Sequence, residues 1–532
     1  MNRTKSFTLV AGLLASAATV YACSGDDNTT PIPLNDGGSS PEGSTSHPDS
    51  GGSSDAGGGS ETGSTTNEAG TTNEAGATDG GDAGPSVACS SLPGSIVYIE
   101  SGDTQEALLK HLGRQLRDNY NVTIVYELTG SCALTPNLFN ATPLAAGQAM
   151  LYIPSTAENP TWDPATSAEN SCAITASTPP DLGISALYTG SCGLGGPDAG
   201  SGVGLIQGPI QAYTFIVPPT EFSTVGGAIY AEEAHTAFGD HKAAGLVVYG
   251  AVTEWNDTMQ MFFRPTTKST LVSTAFNIQL TATVMAANAV QESTSSEVLS
   301  AVAAATSMNA IGILGDEVYD TQGRGKVNVL AFKAFGQNAA YYPDSTITAY
   351  DKQNIRDGHY TPWSPTVYIT QVDSSNNPTN AAVKTITDQV LGNPSSAADG
   401  GVDFPGLDDV IGVGLTPSCA MQVTRDTLTD GTPLSLQPLG ADSCTCYFLS
   451  KIPGATGVPA GCSTCTDSST CGAGLTCTRG FCEGPGAGAP AVPADGGAGC
   501  VTNPTSSTDI PNGCTGATAV TKDGIVLGDA GP

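Results

Sequence analysis

The chain has 532 residues, and its 50 acidic and 18 basic side chains give a formal net charge of −32 at neutral pH. A surface of this charge repels nucleic acid and anionic lipid headgroups, so neither is an expected partner. The length exceeds what one hydrophobic core usually organises, yet both ends are rich in Gly, Ser, Thr, Asp and Ala. The composition therefore predicts one large folded region between two segments that cannot bury a core.

The N-terminus has the pattern of an export signal. Arg3 and Lys5 precede an apolar run at 7–21, which is too short to serve comfortably as a transmembrane helix. The run ends at Val20-Tyr21-Ala22-Cys23, which resembles the lipobox of bacterial lipoproteins. The resemblance implies a signal peptide at 1–22 and a lipid anchor on Cys23, and Ser24 after the Cys implies the outer rather than the inner membrane. An ordinary signal peptide with a chance Cys is the alternative.

The segment 23–87 has the composition of a disordered tether. It contains no Lys or Arg after Cys23 and repeats the hexapeptide TTNEAG at 65–70 and 71–76. So few large apolar side chains cannot offset the conformational entropy of folding. We therefore expect a flexible acidic linker between the membrane anchor and the folded region.

The cysteines indicate disulfide bonds. Of 15 Cys, one is the proposed lipid site, which leaves an even number in a chain that the signal peptide sends to an oxidising compartment. Zinc sites are the alternative, but the chain has only five His. A Cys-rich module is predicted at 451–485, stapled by disulfides or disordered, and a low-complexity tail at 486–532; the five Cys of the module are Cys462, Cys465, Cys471, Cys477 and Cys482.

The pattern of the central region predicts an α/β domain. A β-branched strand at 95–99 is followed by a turn, by leucines at helical spacing from Leu108 to Leu116, and by a second strand at 122–126. This order predicts parallel strands joined by a helix. The same pattern predicts strands at 149–153, 210–217, 246–249 and 327–332, and helices near 230–238, 295–305 and 381–391.

Seven short segments, in order, resemble the phosphate-binding type of ABC-transporter periplasmic binding protein over about 94–391. They are 96–104 (IVYIESGDT), 126–131 (YELTGS), 181–185 (DLGIS), 229–239 (IYAEEAHTAFG) with 252–257 (VTEWND), 263–270 (FRPTTKST), 310–313 (AIGI) and 358–368 (GHYTPWSPTVY).

The resemblance implies a two-lobed α/β architecture of the type 2 periplasmic binding protein class at 88–450. The first lobe would span 88–208 and 333–450, and the second lobe 209–332, with crossovers near Gly208 and Lys326. It further implies a non-enzymatic protein without a cofactor or metal, which holds a small oxyanion such as phosphate between the lobes. A transport role would require an ABC permease as partner.

Six residues at matching positions are the candidate ligands: Thr104, Ser131, Arg264, Lys268, Ser269 and Thr270. Hydroxyls, helix N-termini and a fixed guanidinium are the groups that hold an oxyanion best. The alternatives are that Thr104 caps a helix, that Ser131 caps a loop, and that Arg264 forms an ion pair at a strand end.

The chain also departs from the family. Ala186 follows Ser185 where the family has an Asp that accepts a hydrogen bond from protonated phosphate, and Cys132, which could pair with Cys172 or Cys192, follows Ser131. Two other functions therefore stay open. The first is a degenerate binding-protein fold that serves surface interaction or adhesion without a ligand, and the second is an envelope hydrolase or metal enzyme that uses Glu232, His235 and His241.

Overall fold

The structure is a computed structural model that describes residues 87–222, 226–239, 255, 257–306, 309–337, 339–393, 405–425, 427–436, 443–484 and 519–520. The predicted signal peptide, Cys23, the tether up to residue 86, the predicted strand at 246–249 and His241 lie outside the described residues, as does the tail apart from 519–520. Within the described part of the chain, none of the helices has the length and hydrophobicity needed to span a bilayer.

The predicted strands and helices are present where the described residues cover them. The strands are β1 Val87–Ala88, β2 Ser95–Gly102, β3 Val122–Thr129, β4 Ala149–Tyr152, β5 Asn170–Ala173, β6 Leu182–Ser185, β7 Val203–Val217, β8 Ala228–Tyr230, β9 Met261–Phe263, β10 Val290–Gln291, β11 Ile311–Gly315, β12 Asn328–Val329, β13 Ala331–Lys333, β14 Ala340–Tyr341, β15 Trp363–Gln371, β16 Val423–Arg425, β17 Leu434–Leu436, β18 Thr476–Thr478, β19 Phe481–Glu483 and β20 Ala519–Val520. The helices are α1 Glu106–Tyr120, α2 Ser131–Phe139, α3 Ala231–Gly239, α4 Ser269–Asn277, α5 Ala282–Ala287, α6 Ser295–Ala304, α7 Asp316–Val318, α8 Gln353–Arg356, α9 Ala381–Leu391, α10 Pro405–Gly412 and α11 Thr445–Lys451.

One 12-stranded sheet runs through the molecule in the order β1-β5-β4-β3-β2-β6-β15-β7-β11-β9-β10, with β12 also paired to β7. The long strand β7 changes partner along its length. Its first part pairs antiparallel with β15 as far as Ala212 opposite Trp363, and its last part pairs with β11 from Tyr213 opposite Gly315. Strand β7 therefore carries the chain from one half of the sheet to the other.

Each half of the sheet has its own hydrophobic core, and we call the halves the first and second lobes. In the first lobe, leucines of α1 and the apolar faces of α9 and α10 pack on β2 and β3. In the second lobe, Phe238 of α3 stacks on Phe215 of β7 and meets Phe263 of β9 edge to face in a second core. The two-lobed α/β fold predicted from the sequence is confirmed.

The return from the second lobe to the first follows β15. Ile355, Tyr360 and Trp363 pack in the core of the second lobe, so the chain leaves that lobe at Trp363 rather than near Lys326. The predicted strand at 327–332 divides at Leu330, because β12 pairs with β7 while β13 pairs with β8 in a separate sheet. A single strand could not serve two sheets that diverge there.

The prediction of disulfide bonds is confirmed for the cysteines that the structure describes. Six bonds join Cys89 to Cys172, Cys132 to Cys192, Cys419 to Cys444, Cys446 to Cys462, Cys465 to Cys477 and Cys471 to Cys482. The Cys-rich module contacts the first lobe: Arg479 donates to the carbonyl of Gly392 at 2.7 Å, and Lys451 donates to Asp408 of α10 at 2.9 Å.

Candidate functional site

Arg264 of the second lobe bonds to a carboxylate of the first lobe. It follows β9, and its side chain is only 1% exposed. One terminal nitrogen donates to Asp103 Oδ2, and the other donates to Ser295 Oγ at 3.2 Å. The guanidinium therefore lies between the lobes, and its charge is paired with Asp103.

Lys268 adds a second cation on the same side of the cleft. Its ammonium lies 3.0 Å from the carbonyl oxygen of Thr129 and 3.5 Å from Asp103 Oδ2, so it too reaches across to the first lobe. Burial lowers the pKa of Lys268, while the Asp103 carboxylate opposes that shift. The sequence left open whether this lysine points into the site or away, and the structure places it in the site.

Two helices begin at the cleft without side-chain caps. Helix α2 starts after Gly130, and α4 starts after Lys268; neither of these N-cap residues makes a side-chain hydrogen bond to its helix. The first backbone N–H groups of a helix have no partner within the helix, and the helix dipole favours negative charge there. The two helix starts, one from each lobe, add to the positive potential that Arg264 and Lys268 create.

The four predicted hydroxyls fall into two groups. Ser131 Oγ accepts from the backbone N–H of Ala186 at 3.0 Å, and the Ser269 side chain bonds to the Tyr213 hydroxyl. Thr104 Oγ1 and Thr270 Oγ1 are buried and have no hydrogen-bond partner in the described residues. A buried hydroxyl without a partner costs about 1–3 kcal/mol, so these two hydroxyls have unused hydrogen-bonding capacity.

The segment that departs from the family contributes backbone rather than a carboxylate. The Ala186 carbonyl accepts a hydrogen bond from the Tyr213 hydroxyl, which links the first lobe to β7. Asp181, earlier in the segment, accepts from the backbone N–H of Tyr98 at 2.9 Å and from Asn380 at 3.2 Å. Asp181 therefore joins strands and helices of the first lobe. The carboxylate in the cleft is Asp103 instead.

A chain of buried side chains leads away from this site. Gln105 donates to Gln211 at 2.7 Å, and Gln211 donates to Glu317 at 2.9 Å. Burial raises the pKa of Glu317 to about 8, which favours the protonated form of its carboxyl group. Because Gln105 lies in the first lobe, Gln211 on the crossover and Glu317 in the second lobe, the chain is a further link between the lobes.

The lobes touch where α2 begins. A Cβ atom on Gly130 would lie 2.7 Å from the carbonyl oxygen of Thr267 in the second lobe. Gly130 has φ −111°, a conformation that any residue adopts. The glycine is therefore required by the close approach of the two lobes and not by the local backbone.

Gly130→Ala is expected to hold the lobes apart and weaken anion binding by about tenfold, because the methyl group must displace Thr267 by several tenths of an ångström. The measurement is phosphate titration calorimetry beside thermal unfolding. Gly195→Ala is the control, since a Cβ there meets nothing within 4 Å. Unchanged affinity in Gly130→Ala would mean that this contact is not part of the binding-competent form.

Glu232 and His235, the residues of the metal-enzyme alternative that the structure describes, have other partners. Glu232 pairs with Lys333 at 3.4 Å, and the His235 ring nitrogen Nδ1 lies 2.8 Å from the carbonyl oxygen of Ile278. In the described part of the chain, a group of three converging carboxylates does occur at Asp316, Asp320 and Asp344, but the Lys352 ammonium already lies among them. These contacts give the alternative no support.

Sequence reasoning missed the partners that complete the site. Asp103 lies in the segment 96–104 but is not among the predicted ligands, although a carboxylate directly before Thr104 is a signal that the site contains negative charge. Ser295 and Tyr213 gave no signal, because each comes from a strand or helix distant in the sequence. Pairing across 161 residues, as between Asp103 and Arg264, depends on how the lobes meet.

Fold and cleft together describe a two-lobed α/β protein with a cationic interlobe site. Neither a protein-family model nor a curated protein sequence matches the chain. One similar solved structure is a protein from Clostridium perfringens, crystallised with bound phosphate and assigned as a phosphate ABC transporter substrate-binding protein. It has 12% identity and a TM-score of 0.38, and the match covers 61% of this chain and 99% of that one.

Two further structures show the same degree of likeness. An ABC-type phosphate transport receptor from Vibrio cholerae has 12% identity and a TM-score of 0.36, over 60% of this chain and 99% of that one. The regulatory domain of CrgA, a LysR-type transcriptional regulator from Neisseria meningitidis, has 12% identity and a TM-score of 0.30, over 57% of this chain and 100% of that one. Likeness at this level assigns no ligand, and the two-lobed architecture rests on the paths of β7 and β15.

Proposed function

We propose that this protein is a lipid-anchored solute-binding protein of the bacterial envelope that holds a small oxyanion, such as phosphate, between its two lobes. The supporting observation is a set of anion-binding groups from both lobes around Arg264. Lys268 adds charge, α2 and α4 present uncapped N-termini, and the buried Thr104 and Thr270 hydroxyls have no partner in the described residues. Such groups stabilise an oxyanion that has lost its water.

Asp103 sets the charge that the site can accept. Arg264 and Lys268 contribute two positive charges and Asp103 removes one, which leaves the cluster at +1. A singly charged oxyanion neutralises this cluster, whereas a doubly charged one leaves an excess negative charge in a poorly solvated cleft. The site therefore favours a protonated oxyanion over one that is fully ionised.

The second candidate function is a surface-interaction module whose cleft needs no ligand. The specific observation in its favour is that the Asp103 carboxylate already bonds to Arg264, as an external anion would. The lobes also touch at Gly130. In this alternative the fold serves as a rigid body on the cell surface, and the internal carboxylate replaces the solute permanently.

The membrane anchor is proposed from the sequence alone, on the lipobox that ends at Cys23. An acyl chain contributes about 0.8 kcal/mol for each buried methylene group, so several chains on one Cys would hold the protein firmly. With Ser24 following, the proposed location is the outer membrane. A transport role would additionally require an ABC permease, and the surface-interaction alternative would not.

Titration calorimetry with phosphate and sulfate at pH 6, where most phosphate is singly charged and sulfate is doubly charged, tests the proposal on the full chain carrying Cys23→Ser. We expect saturable binding of phosphate by this protein. Asp103→Asn raises the cluster to +2 and is expected to bind sulfate at least about tenfold more tightly, a difference of about 1.4 kcal/mol. Asp198→Asn, an exposed site away from the cleft, makes the same change in net charge and is expected to leave both affinities unchanged.

The outcomes separate the two candidates. Folded protein that binds no oxyanion, while Asp103→Asn does bind, would identify the surface-interaction alternative with Asp103 as the permanent occupant. If neither protein binds an oxyanion, the proposal that the cleft binds anions is wrong. Equal effects of Asp103→Asn and Asp198→Asn on sulfate affinity would show that Asp103 acts only through the net charge of the protein.

A further inference from the structure

A short turn beyond the predicted binding region lies between the two lobes. Strands β16 and β17 form a hairpin, and the residues of its turn, 427–432, are what we call the interlobe bridge. Met421, Val423 and Leu434 around the hairpin pack in the core of the second lobe. The disulfide Cys419–Cys444 closes the loop that contains the whole hairpin.

One carboxylate in the interlobe bridge bonds to both lobes. Asp430 is 1% exposed. Ser191 of the first lobe donates to Asp430 Oδ2 at 2.5 Å and accepts from the backbone N–H of Asp430 at 2.7 Å. Ser273 of α4 in the second lobe donates to the other carboxylate oxygen at 3.1 Å. Asp430 thus forms a direct connection between the lobes.

Backbone contacts on both sides show that the bridge fills the space tightly. A Cβ atom on Gly190 would lie 2.3 Å from the carbonyl oxygen of Leu428, and one on Gly431 would lie 2.6 Å from the carbonyl oxygen of Phe276. Gly190 belongs to the first lobe and Phe276 to α4 of the second. A side chain larger than hydrogen at Gly190 or Gly431 would therefore push the bridge away from the lobe that it contacts there.

The bridge is held in its shape from inside. Thr427 donates to Thr432 at 2.9 Å, and Thr432 donates to the carbonyl of Thr429 at 2.8 Å. The Arg425 guanidinium donates to the carbonyl of Thr432 and lies over the Trp363 ring at 4.5 Å, where β15 leaves the second lobe. Because these contacts make the turn rigid, the hydrogen bonds of Asp430 connect the two lobes through a rigid segment.

The same contacts reach the two helices that begin at the cleft. Ser191 lies beside Cys192, whose disulfide to Cys132 fixes the turn to the first turn of α2. Ser273 lies in the second turn of α4. Asp430 therefore connects the helix of the first lobe to the helix of the second lobe from outside the anion-binding groups.

We propose that the interlobe bridge holds the two lobes closed and that Asp430 must release Ser191 or Ser273 before the cleft can open. Asp430 is a positioning residue, because the hydrogen bonds described above join it to Ser191 and Ser273, not to Arg264 or Lys268, and fix the helices beside those two cations. The closure itself does not depend on the proposed function. If the cleft binds an anion, the bridge also limits the rate at which that anion is exchanged.

The test measures an interlobe distance distribution in the full chain carrying Cys23→Ser. Spin labels on non-cysteine amino acids, introduced at the exposed positions Asn119 on α1 and Ser300 on α6, leave the disulfides intact. We expect one narrow distance for the parent protein and a second, longer distance for Asp430→Ala. Asp198→Ala is the control and is expected to match the parent.

Two single-arm variants keep the proposal testable if Asp430→Ala does not fold. Ser191→Ala and Ser273→Ala each remove the hydrogen bond from Asp430 to one lobe. For each variant we expect a fraction of the molecules to show the longer distance between the spin labels. One narrow distribution in all folded variants would overturn the proposal. Where phosphate binds, stopped-flow dissociation at least tenfold faster in Ser273→Ala is the second expected result. A protein that binds no phosphate still gives the distance result, so the two proposals fail separately.

Discussion

Lys352→Met is expected to destabilise the folded domain by about 3–5 kcal/mol, the usual cost of removing one partner from a buried ion cluster. The Lys352 ammonium lies 2.6 Å from Asp316, 2.5 Å from Asp320 and 3.2 Å from Asp344, and its side chain is 3% exposed. Burial alone would lower the pKa of Lys352, but these carboxylates raise it well above the ordinary value. Without the ammonium, the carboxylates repel one another in a site where they are almost fully buried.

Urea unfolding at pH 7 measures the effect, with Lys384→Met as the control. Lys384 is 47% exposed and pairs with Asp388 one turn later on α9, so its loss is expected to cost less than about 0.5 kcal/mol. The cost of Lys352→Met should shrink at pH 5, because burial raises the pKa of Asp344 to about 7 and a protonated Asp344 no longer needs a counterion. Equal midpoints for the two lysine variants would show that the cluster is not buried in solution.

Arg264→Gln is expected to weaken oxyanion binding by at least about 100-fold. Hydrogen bonds to charged groups contribute about 1.5–3 kcal/mol each, and the guanidinium presents two terminal nitrogens in the cleft. The shorter, neutral glutamine cannot reach both Asp103 and Ser295. Binding is measured by phosphate titration of the Cys23→Ser chain, and folding is checked by thermal unfolding.

Lys384→Gln is the matched control for the lost positive charge, since it lies on the surface of the first lobe away from the cleft. It is expected to change phosphate affinity less than twofold, because charges separated by more than about 10 Å are screened at moderate ionic strength. A folded Arg264→Gln protein whose affinity stays within threefold of the parent would place the anion elsewhere.

The regular elements could be predicted because each carries its own periodic signal. Helix α9 spans the predicted 381–391, and α1 follows from the spacing of Leu108, Leu112 and Leu116, whose side chains form the first core. Strand β2 could be predicted from its β-branched residues. In each case the burial of one face determines the local structure, so a window of ten residues contains enough information.

The interlobe contacts could not be predicted in the same way. Asp103 and Arg264 pair across 161 residues and Ser191 and Asp430 across 239, and nothing in either local sequence specifies the partner. The hairpin of β16 and β17 has only three residues in each strand, too few for a periodic signal. The sequence does not predict that the chain leaves the second lobe at Trp363. Ile355 and Tyr360 are buried in the core of that lobe, but neither lies in a long helix or strand with a periodic signal.

The order of the cysteines in the chain bears on how the protein is made. Cys89, Cys132, Cys172 and Cys192 emerge in that order during synthesis, but the native bonds join the first to the third and the second to the fourth. The last four Cys of the C-terminal module interleave in the same manner. An oxidant that joined neighbours as they emerged would produce the wrong pairs, and these are corrected only by thiol–disulfide exchange. We therefore expect oxidative folding of this protein to need a disulfide isomerase as well as an oxidant, and oxidation without the isomerase to give chains with wrong disulfide pairs.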